Sequence, residues 1–391
     1  MSALVSAELL DRVRGRLAQN SDTPTPAAVA AAIRAESSGV LGDTDLLAAL
    51  RTLQTELTGA GVLEPLLGQP DVSDVLVTAP DAVWVDRGHG LERADVEFAD
   101  EAAVRRLAQR LALAAGRRLD DAQPWVDGRL PGTPGTDFGV RLHAVLPPVS
   151  QAGTCLSLRV LRPATQGLDA LLRTGTLTPE SYRILRSVVA GRLAFLVVGG
   201  TGAGKTTLLA ALLATVSARE RIVCVEDAAE LAPAHPHVVR LVARAANVEG
   251  AGEVSVRHLV RQALRMRPDR IVVGEVRGAE VVDLLTALNT GHDGGAGTVH
   301  ANSPEEVPAR LEALAALGGM DRAALHSQLA AAVQVVLHCR RDPDGSRALV
   351  EIAVLERPSV NEVIVVPAWS RQSGRGPGAD RLDALLDRTR S

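Results

Sequence analysis

Gly199-Gly200-Thr201-Gly202-Ala203-Gly204-Lys205-Thr206-Thr207 decides how this chain is read. It fits the G-x-x-x-x-G-K-[ST] pattern of a phosphate-binding loop. Lys205 is the one lysine among 42 basic residues, the other 41 being arginine. A chain that uses arginine everywhere else keeps an amine where a compact point charge must enter a ring of backbone amides; a planar guanidinium does not fit there. The flanks agree. Leu193–Val198 is a short apolar run, as expected of a buried parallel strand. The residues after Lys205, TTLLAALLATV, are rich in helix formers. Strand, glycine loop and helix together aim successive N–H groups and a helix N-terminus at an anion. The stretch 199–207 therefore predicts a nucleoside triphosphate site, with Lys205 on the β- and γ-phosphates and the Thr206 hydroxyl on Mg²⁺.

Composition bounds the rest. At 391 residues two domains or more are expected. Apolar residues make up 46% and aromatics only 2%, so the cores must be built from Leu, Val and Ala. A net charge of −4 implies no global attraction to nucleic acid or to an anionic membrane. Cys155, Cys224 and Cys339 lie far apart and form no C-x-x-C, which argues against a disulfide framework or a zinc site and fits a reducing compartment such as the cytoplasm. Glu8 interrupts the stretch where a signal peptide would be apolar, and no run approaches the roughly 18 apolar residues of a membrane span. Any membrane association is expected to be peripheral.

The chain divides by pattern. Residues 1–58 read as a helical extension, with pieces near Ala3–Leu17, Ala27–Glu36 and Asp43–Thr58. Residues 60–162 read as an α+β domain with strands at Val75–Thr78, Val83–Asp86, Val140–Leu146 and Leu156–Leu161, and a helix at Ala102–Ala115. Residues 163–179 read as a linker. In 180–369 strands alternate with helices, the pattern of an α/β core. Within it Ser303-Pro304-Glu305-Glu306 reads as a capping box, and Asp342-Pro343-Asp344-Gly345 as a turn between two strands. Residues 370–391 are rich in Gly, Ser and Arg and are expected to be disordered.

Four further stretches fall beside predicted strands, where an open parallel sheet collects its ligands. Glu226 and Asp227 close Ile222–Val225; they could orient water or hold Mg²⁺ through water, or be solvated loop acids or helix caps. Glu275 follows Ile271-Val272-Val273-Gly274 and is the candidate to polarise an attacking water; otherwise it is a surface acid paired with Arg277. His300, in Gly297-Thr298-Val299-His300-Ala301-Asn302, could sense a γ-phosphate or be structural. Arg261, Arg265, Arg267 and Arg270 could face a nucleotide or be solvated surface.

Taken in order, these stretches resemble the secretion-ATPase superfamily that drives type II and type IV secretion and type IV pili, most closely its CpaF-like, Tad-pilus branch. Residues 199–207 look like its Walker A, 226–231 like its Asp box, 264–278 like its Walker B segment and 289–304 like its His box; the resemblance spans about 60–355. The zinc-binding cysteine quartet of type II secretion and pilus-extension ATPases is missing, which points to the CpaF-like branch. The resemblance implies a RecA-like P-loop NTPase core behind a smaller α+β N-terminal domain. It implies a homo-hexameric ring with ATP and Mg²⁺ as ligands, and Glu226, Glu275 and His300 around the triphosphate. By motif, it also implies that Arg141 and Arg159 reach the phosphates from the N-terminal domain. Two departures stand out. The turn before Arg141 is replaced by a longer loop at 130–139, and Gly294-Gly295-Ala296-Gly297 before the His box is unusually rich in glycine, as a mobile loop would be.

The expectation is thus a cytoplasmic ATPase, peripheral at the inner face of the membrane, that turns hydrolysis into domain motion for pilus assembly or protein export. Its expected partner is an inner-membrane platform protein. Two rivals come from other classes: a RecA-like nucleic-acid translocase linked to conjugation, against which the acidic balance speaks, and a scaffold that binds ATP without turning it over.

Overall fold

The computed structural model describes residues 12, 13, 16, 26–36, 59–130, 139–247, 250–359 and 362–388. The expected helices at Ala3–Leu17 and Asp43–Thr58 and the loop at 131–138 lie largely or wholly outside them. Helix α1 spans Pro26–Glu36. The chain forms two compact units, Met1–Leu161 and Arg162–Ser391.

The first unit is built on an antiparallel sheet. Its strands are β1 (Asp74–Ala79), β2 (Ala82–Asp86), β3 (Leu91–Arg93), β4 (Trp125–Leu130), β5 (Gly139–Val145) and β6 (Cys155–Leu161). Their order is β3-β2-β1-β6-β5-β4. Buried and more exposed residues alternate along β1, β2 and β5, so one face is apolar. Val75, Val77, Val83, Val85, Val140, Leu142, Ala144, Leu156 and Leu158 form that face, and two helices cover it. These are α2 (Glu64–Leu67) and α3 (Glu101–Ala114), which contributes Val104, Leu107, Ala108 and Leu111. Helix α3 starts at Asp100, whose side chain accepts the Ala103 N–H at 2.7 Å.

The second unit carries the phosphate loop. Its strands are β7 (Phe195–Val198), β8 (Ile222–Glu226), β9 (Val238–Val242), β10 (Arg270–Val276), β11 (Ala296–Val299), β12 (Val335–Arg341), β13 (Arg347–Ser359), β14 (Glu362–Ser370) and β15 (Gly374–Arg375). They lie in the order β15-β14-β13-β12-β7-β11-β10-β8-β9. Strands β12, β7, β11, β10, β8 and β9 are mutually parallel, while β13, β14 and β15 run antiparallel at one flank.

Helices cover both faces of this sheet, so its central strands are apolar at every position rather than at every second one. Phe195 and Val197 of β7 enter one core; Leu196 and Val198 enter the other. The first core takes in α4 (Leu168–Arg173), α5 (Pro179–Ala190) and α6 (Lys205–Leu213). The second takes in α7 (Val256–Ala263), α8 (Glu280–Leu288), α9 (Val307–Leu317) and α10 (Arg322–Ala332). Helix α6 is buried nearly all round, through Leu208, Leu209, Ala210, Ala211, Leu212 and Leu213, as expected of a helix that is apolar on every face.

Several expectations are corrected. The segment read as a linker contains α4, with Leu168 and Leu171 in the core. The tail read as disordered forms β15 and a last helix, α11 (Ala379–Arg388), whose Leu382 and Leu385 pack into the first core. Gly294-Gly295-Ala296-Gly297 is not a mobile loop but a close-packed entry into β11. A first side-chain carbon at Gly295 would stand 2.4 Å from Leu288 Cδ2. Ser303 makes no capping bond; instead Glu306 accepts the Asn302 N–H at 3.0 Å, and Pro304–Glu306 is a 3-10 turn ahead of α9. Strands β3, β4 and β9 were not foreseen.

Candidate functional site

Strands β7, β8, β10, β11 and β12 run parallel, so their C-terminal ends gather at one edge of the sheet. The stretch 199–204 turns there between β7 and α6, and Gly204 caps the helix in the left-handed region at φ 90°. Gly199, Gly200, Thr201, Gly202, Ala203 and Gly204 form the loop, and Lys205, Thr206 and Thr207 the first turn of α6. Lys205 is 7% exposed, and its Nζ donates to the carbonyls of Gly199 at 3.0 Å and Gly200 at 2.8 Å. Burial lowers its pKa, and the nearby charge of Glu275 partly opposes that. The Thr206 side chain is half-buried beside it.

Glu226 ends β8 and is 2% exposed. Its Oε1 accepts the N–H groups of Glu230 at 2.9 Å and Leu231 at 2.8 Å, while its Oε2 is buried without a hydrogen-bond partner. Burial outweighs the two N–H donors and pushes the carboxyl up to about 7. The neighbouring strand explains where this acid sits. A first side-chain carbon at Gly274 would stand 2.7 Å from Glu226 Cγ. Strand β10 thus has glycine where a Walker B strand usually has aspartate because the Glu226 side chain occupies that space. Gly274 is held in turn by the Thr298 hydroxyl of β11, which donates to its carbonyl at 2.7 Å.

Glu275, the next residue of β10, meets an imidazole and a guanidinium. His300 Nε2, just past β11, lies 2.6 Å from its Oε1, and Arg277 Nη2 lies 2.5 Å from its Oε2. Arg277 also donates to Asp227 at 3.0 Å. Burial lowers the His300 pKa, and the Lys205 charge lowers it further against the pull of Glu275. An imidazole near neutral pH is then uncharged, able to donate one hydrogen bond or accept one. The Glu275 carboxylate is aligned by Arg277, whose own pKa the pair raises. The ensemble can polarise a water and sense the charge of a phosphate.

The arginine cluster resolves otherwise. Arg257 and Arg261 both bind Asp283 of α8 at 2.7 Å, a tie between two helices. Arg270 is buried, with Nε 2.9 Å from Glu220 Oε2 and Nη2 donating to the Val189 carbonyl at 2.9 Å. It is a structural ion pair. Arg141 and Arg159 are cross-strand partners on β5 and β6 in the first unit. Arg141 pairs with Asp127 at 2.7 Å and Arg159 with Asp74 at 2.9 Å. Sequence reasoning also missed Arg347. Its Nε donates to the carbonyl of Gly202, inside the phosphate loop, at 2.9 Å; the only signal was its place beside the expected turn.

A glycine loop closing on a buried lysine, with an acid on the next strand but one, makes the second unit a P-loop nucleotide-binding domain of RecA-like type. The chain belongs to the type II/IV secretion system protein family, whose sequence pattern matches residues 56–363. It is 71% identical over 347 residues to a Mycobacterium tuberculosis protein provisionally named for conjugal transfer, covering 89% of this chain and 98% of that one. It is 34% identical over 273 residues to the type IV secretion system protein PtlH of Bordetella pertussis, covering 64% and 78%. The fold is similar to that of the Legionella pneumophila ATPase DotB, with a TM-score of 0.51 at 17% identity over 82% of this chain and 83% of that one. It is similar to the pilus retraction motor PilT to the same score, at 20% identity over 81% and 82%. Among the described residues no helix is long and apolar enough to cross a membrane.

Proposed function

We propose that this protein hydrolyses ATP and uses the resulting motion to drive a type II/IV secretion or Tad-like pilus machine, working as a six-fold ring against a membrane-embedded platform protein. One observation carries the reading. Lys205 sits folded into the phosphate loop at the same sheet edge where Glu275 is gripped by His300 and Arg277.

The roles follow from charge and position. The N–H groups of 199–204 and the Lys205 amine hold the phosphates. Glu275 takes the proton of the attacking water or orients it, and Arg277 keeps the carboxylate in one rotamer. His300, uncharged near neutral pH, donates to or accepts from the γ-phosphate side of the site. The donor set suits Mg²⁺, because a threonine hydroxyl at Thr206 and a buried carboxylate oxygen without a partner at Glu226 are hard oxygen donors. Bound there, the ion would supply charge neutralisation between the phosphates. Arg141 and Arg159 are proposed as phosphate contacts, for which each would have to leave its aspartate partner.

Phosphate release by the purified full-length chain tests this. Wild type should turn over ATP, and Glu275→Gln should lose a hundredfold or more while still binding nucleotide. Turnover within threefold of wild type in Glu275→Gln would remove Glu275 from the chemistry. The relatives named for conjugal transfer favour a second reading, a nucleic-acid translocase. Affinity for DNA that falls steeply with salt would support it.

A further inference from the structure

The sheet order places a second basic group at the phosphate loop, on the side away from Glu275. Strand β12 neighbours β7 on one flank, and β11 and β10 lie on the other. The turn from β12 to β13 therefore reaches the same edge as the loop, and there Arg341 and Arg347 stand directly opposite each other across the ladder. The turn is well closed, with Asp342 N–H donating to Ser346 at 2.9 Å and Gly345 N–H to Asp342 at 2.9 Å.

Both side chains lean over the loop. Arg347 donates to the Gly202 carbonyl, and a first side-chain carbon at Gly202 would stand 3.3 Å from Arg341 Nη1. Like charges directly opposite each other on neighbouring strands repel, and an anion placed beside them gains from both. The γ-phosphate end of a nucleotide must lie toward β10 and β11, where Glu275 and His300 are. The rest of the molecule then runs across the loop toward β12. A base arriving there needs a flat surface. The aromatic rings of the second unit are engaged elsewhere: Phe195 and Trp369 are buried, Trp369 donates to Glu180 at 2.9 Å, and the Tyr182 hydroxyl donates to Asp169 at 2.7 Å. A guanidinium is planar and stacks on aromatic faces.

We infer that Arg341 provides the base platform of the nucleotide site and that Arg347 braces the phosphate loop beneath it. This rests on the phosphate-loop reading above. The contact is made by a face common to all bases, so it contributes affinity without choosing adenine over guanine.

Titration calorimetry on the full-length chain separates the parts, with ATP and base-free inorganic tripolyphosphate as probes in the presence of Mg²⁺. Arg341→Ala should weaken ATP about tenfold and tripolyphosphate less than threefold. Arg341→Lys keeps the charge and loses the plane, so it should show the same split, and it serves if the alanine variant folds poorly. Arg347→Ala should weaken both probes together. Equal affinity of wild type and both Arg341 variants for ATP, or equal losses on the two probes, would overturn the platform. Lys205→Ala should lose both probes. If wild type binds neither, the phosphate-loop reading itself falls, a different outcome from failure of the hairpin alone.

Discussion

Replacing Glu226 by glutamine should make the protein more stable and less active, and the gain should grow with pH. Glu226 Oε1 satisfies two N–H donors, while Oε2 is buried with no partner. Burial pushes the carboxyl from 4.5 up to about 7. A folded state that holds its proton more tightly than the unfolded chain loses stability as pH rises from the unfolded value through the folded one. Below 4.5 both states are protonated and nothing is lost. Above about 7 both are ionised and the full penalty applies, at most about 3 kcal/mol at 1.36 kcal/mol per tenfold change in proton affinity. Glutamine keeps the accepting oxygen and the shape but cannot ionise. Urea unfolding of wild type and Glu226→Gln at intervals from pH 5 to pH 8, without nucleotide, should show curves that nearly meet at the acid end and diverge toward the basic end by one to three kcal/mol. A difference that does not change with pH, or a variant less stable at pH 8, would refute the assignment of a strained buried acid. Phosphate release should fall in the same variant, because the oxygen suited to Mg²⁺ coordination is gone.

Gly274→Ala should cost about 1–3 kcal/mol by urea unfolding, because its methyl would sit 2.7 Å from Glu226 Cγ, and it should lower turnover by displacing that acid. Arg270→Ala should destabilise by about 3 kcal/mol, since it strips buried bonds from Glu220 and from the Val189 carbonyl; Arg192, 2.6 Å from Glu220, limits the loss. Arg277→Ala should shift the melting midpoint little, because the guanidinium is half in water and such pairs contribute under about 1 kcal/mol, yet turnover should drop tenfold or more; unchanged turnover would make it an ordinary surface pair.

The strand, loop and helix around Lys205 were plain in the sequence because their evidence is local: an apolar run, glycines, then helix formers. Glu275 and His300 are singled out on equally local evidence, the one near the end of a buried strand and the other just past one. The unforeseen strands are edge or half-exposed pieces. Strand β4 runs Trp-Val-Asp-Gly-Arg-Leu with only Val126 and Leu130 buried, and β9 has no buried residue, so neither carries an apolar run to read. Composition misled at the C-terminus, where Gly and Arg hid the spacing of Leu382 and Leu385 that α11 uses. The rest was not local at all. That Glu226 fills the space left by Gly274 depends on β8 and β10 being neighbours. That Arg347 touches Gly202 depends on β12 lying beside β7, 145 residues along the chain from one partner to the other.

The burial of Lys205 has a practical consequence. No other side chain in the protein carries a primary amine. Amine-directed acylation of a side chain can therefore strike in one place only, beneath two backbone carbonyls. Its rate is a direct clock for how often the phosphate loop opens, readable by mass spectrometry with no engineered label.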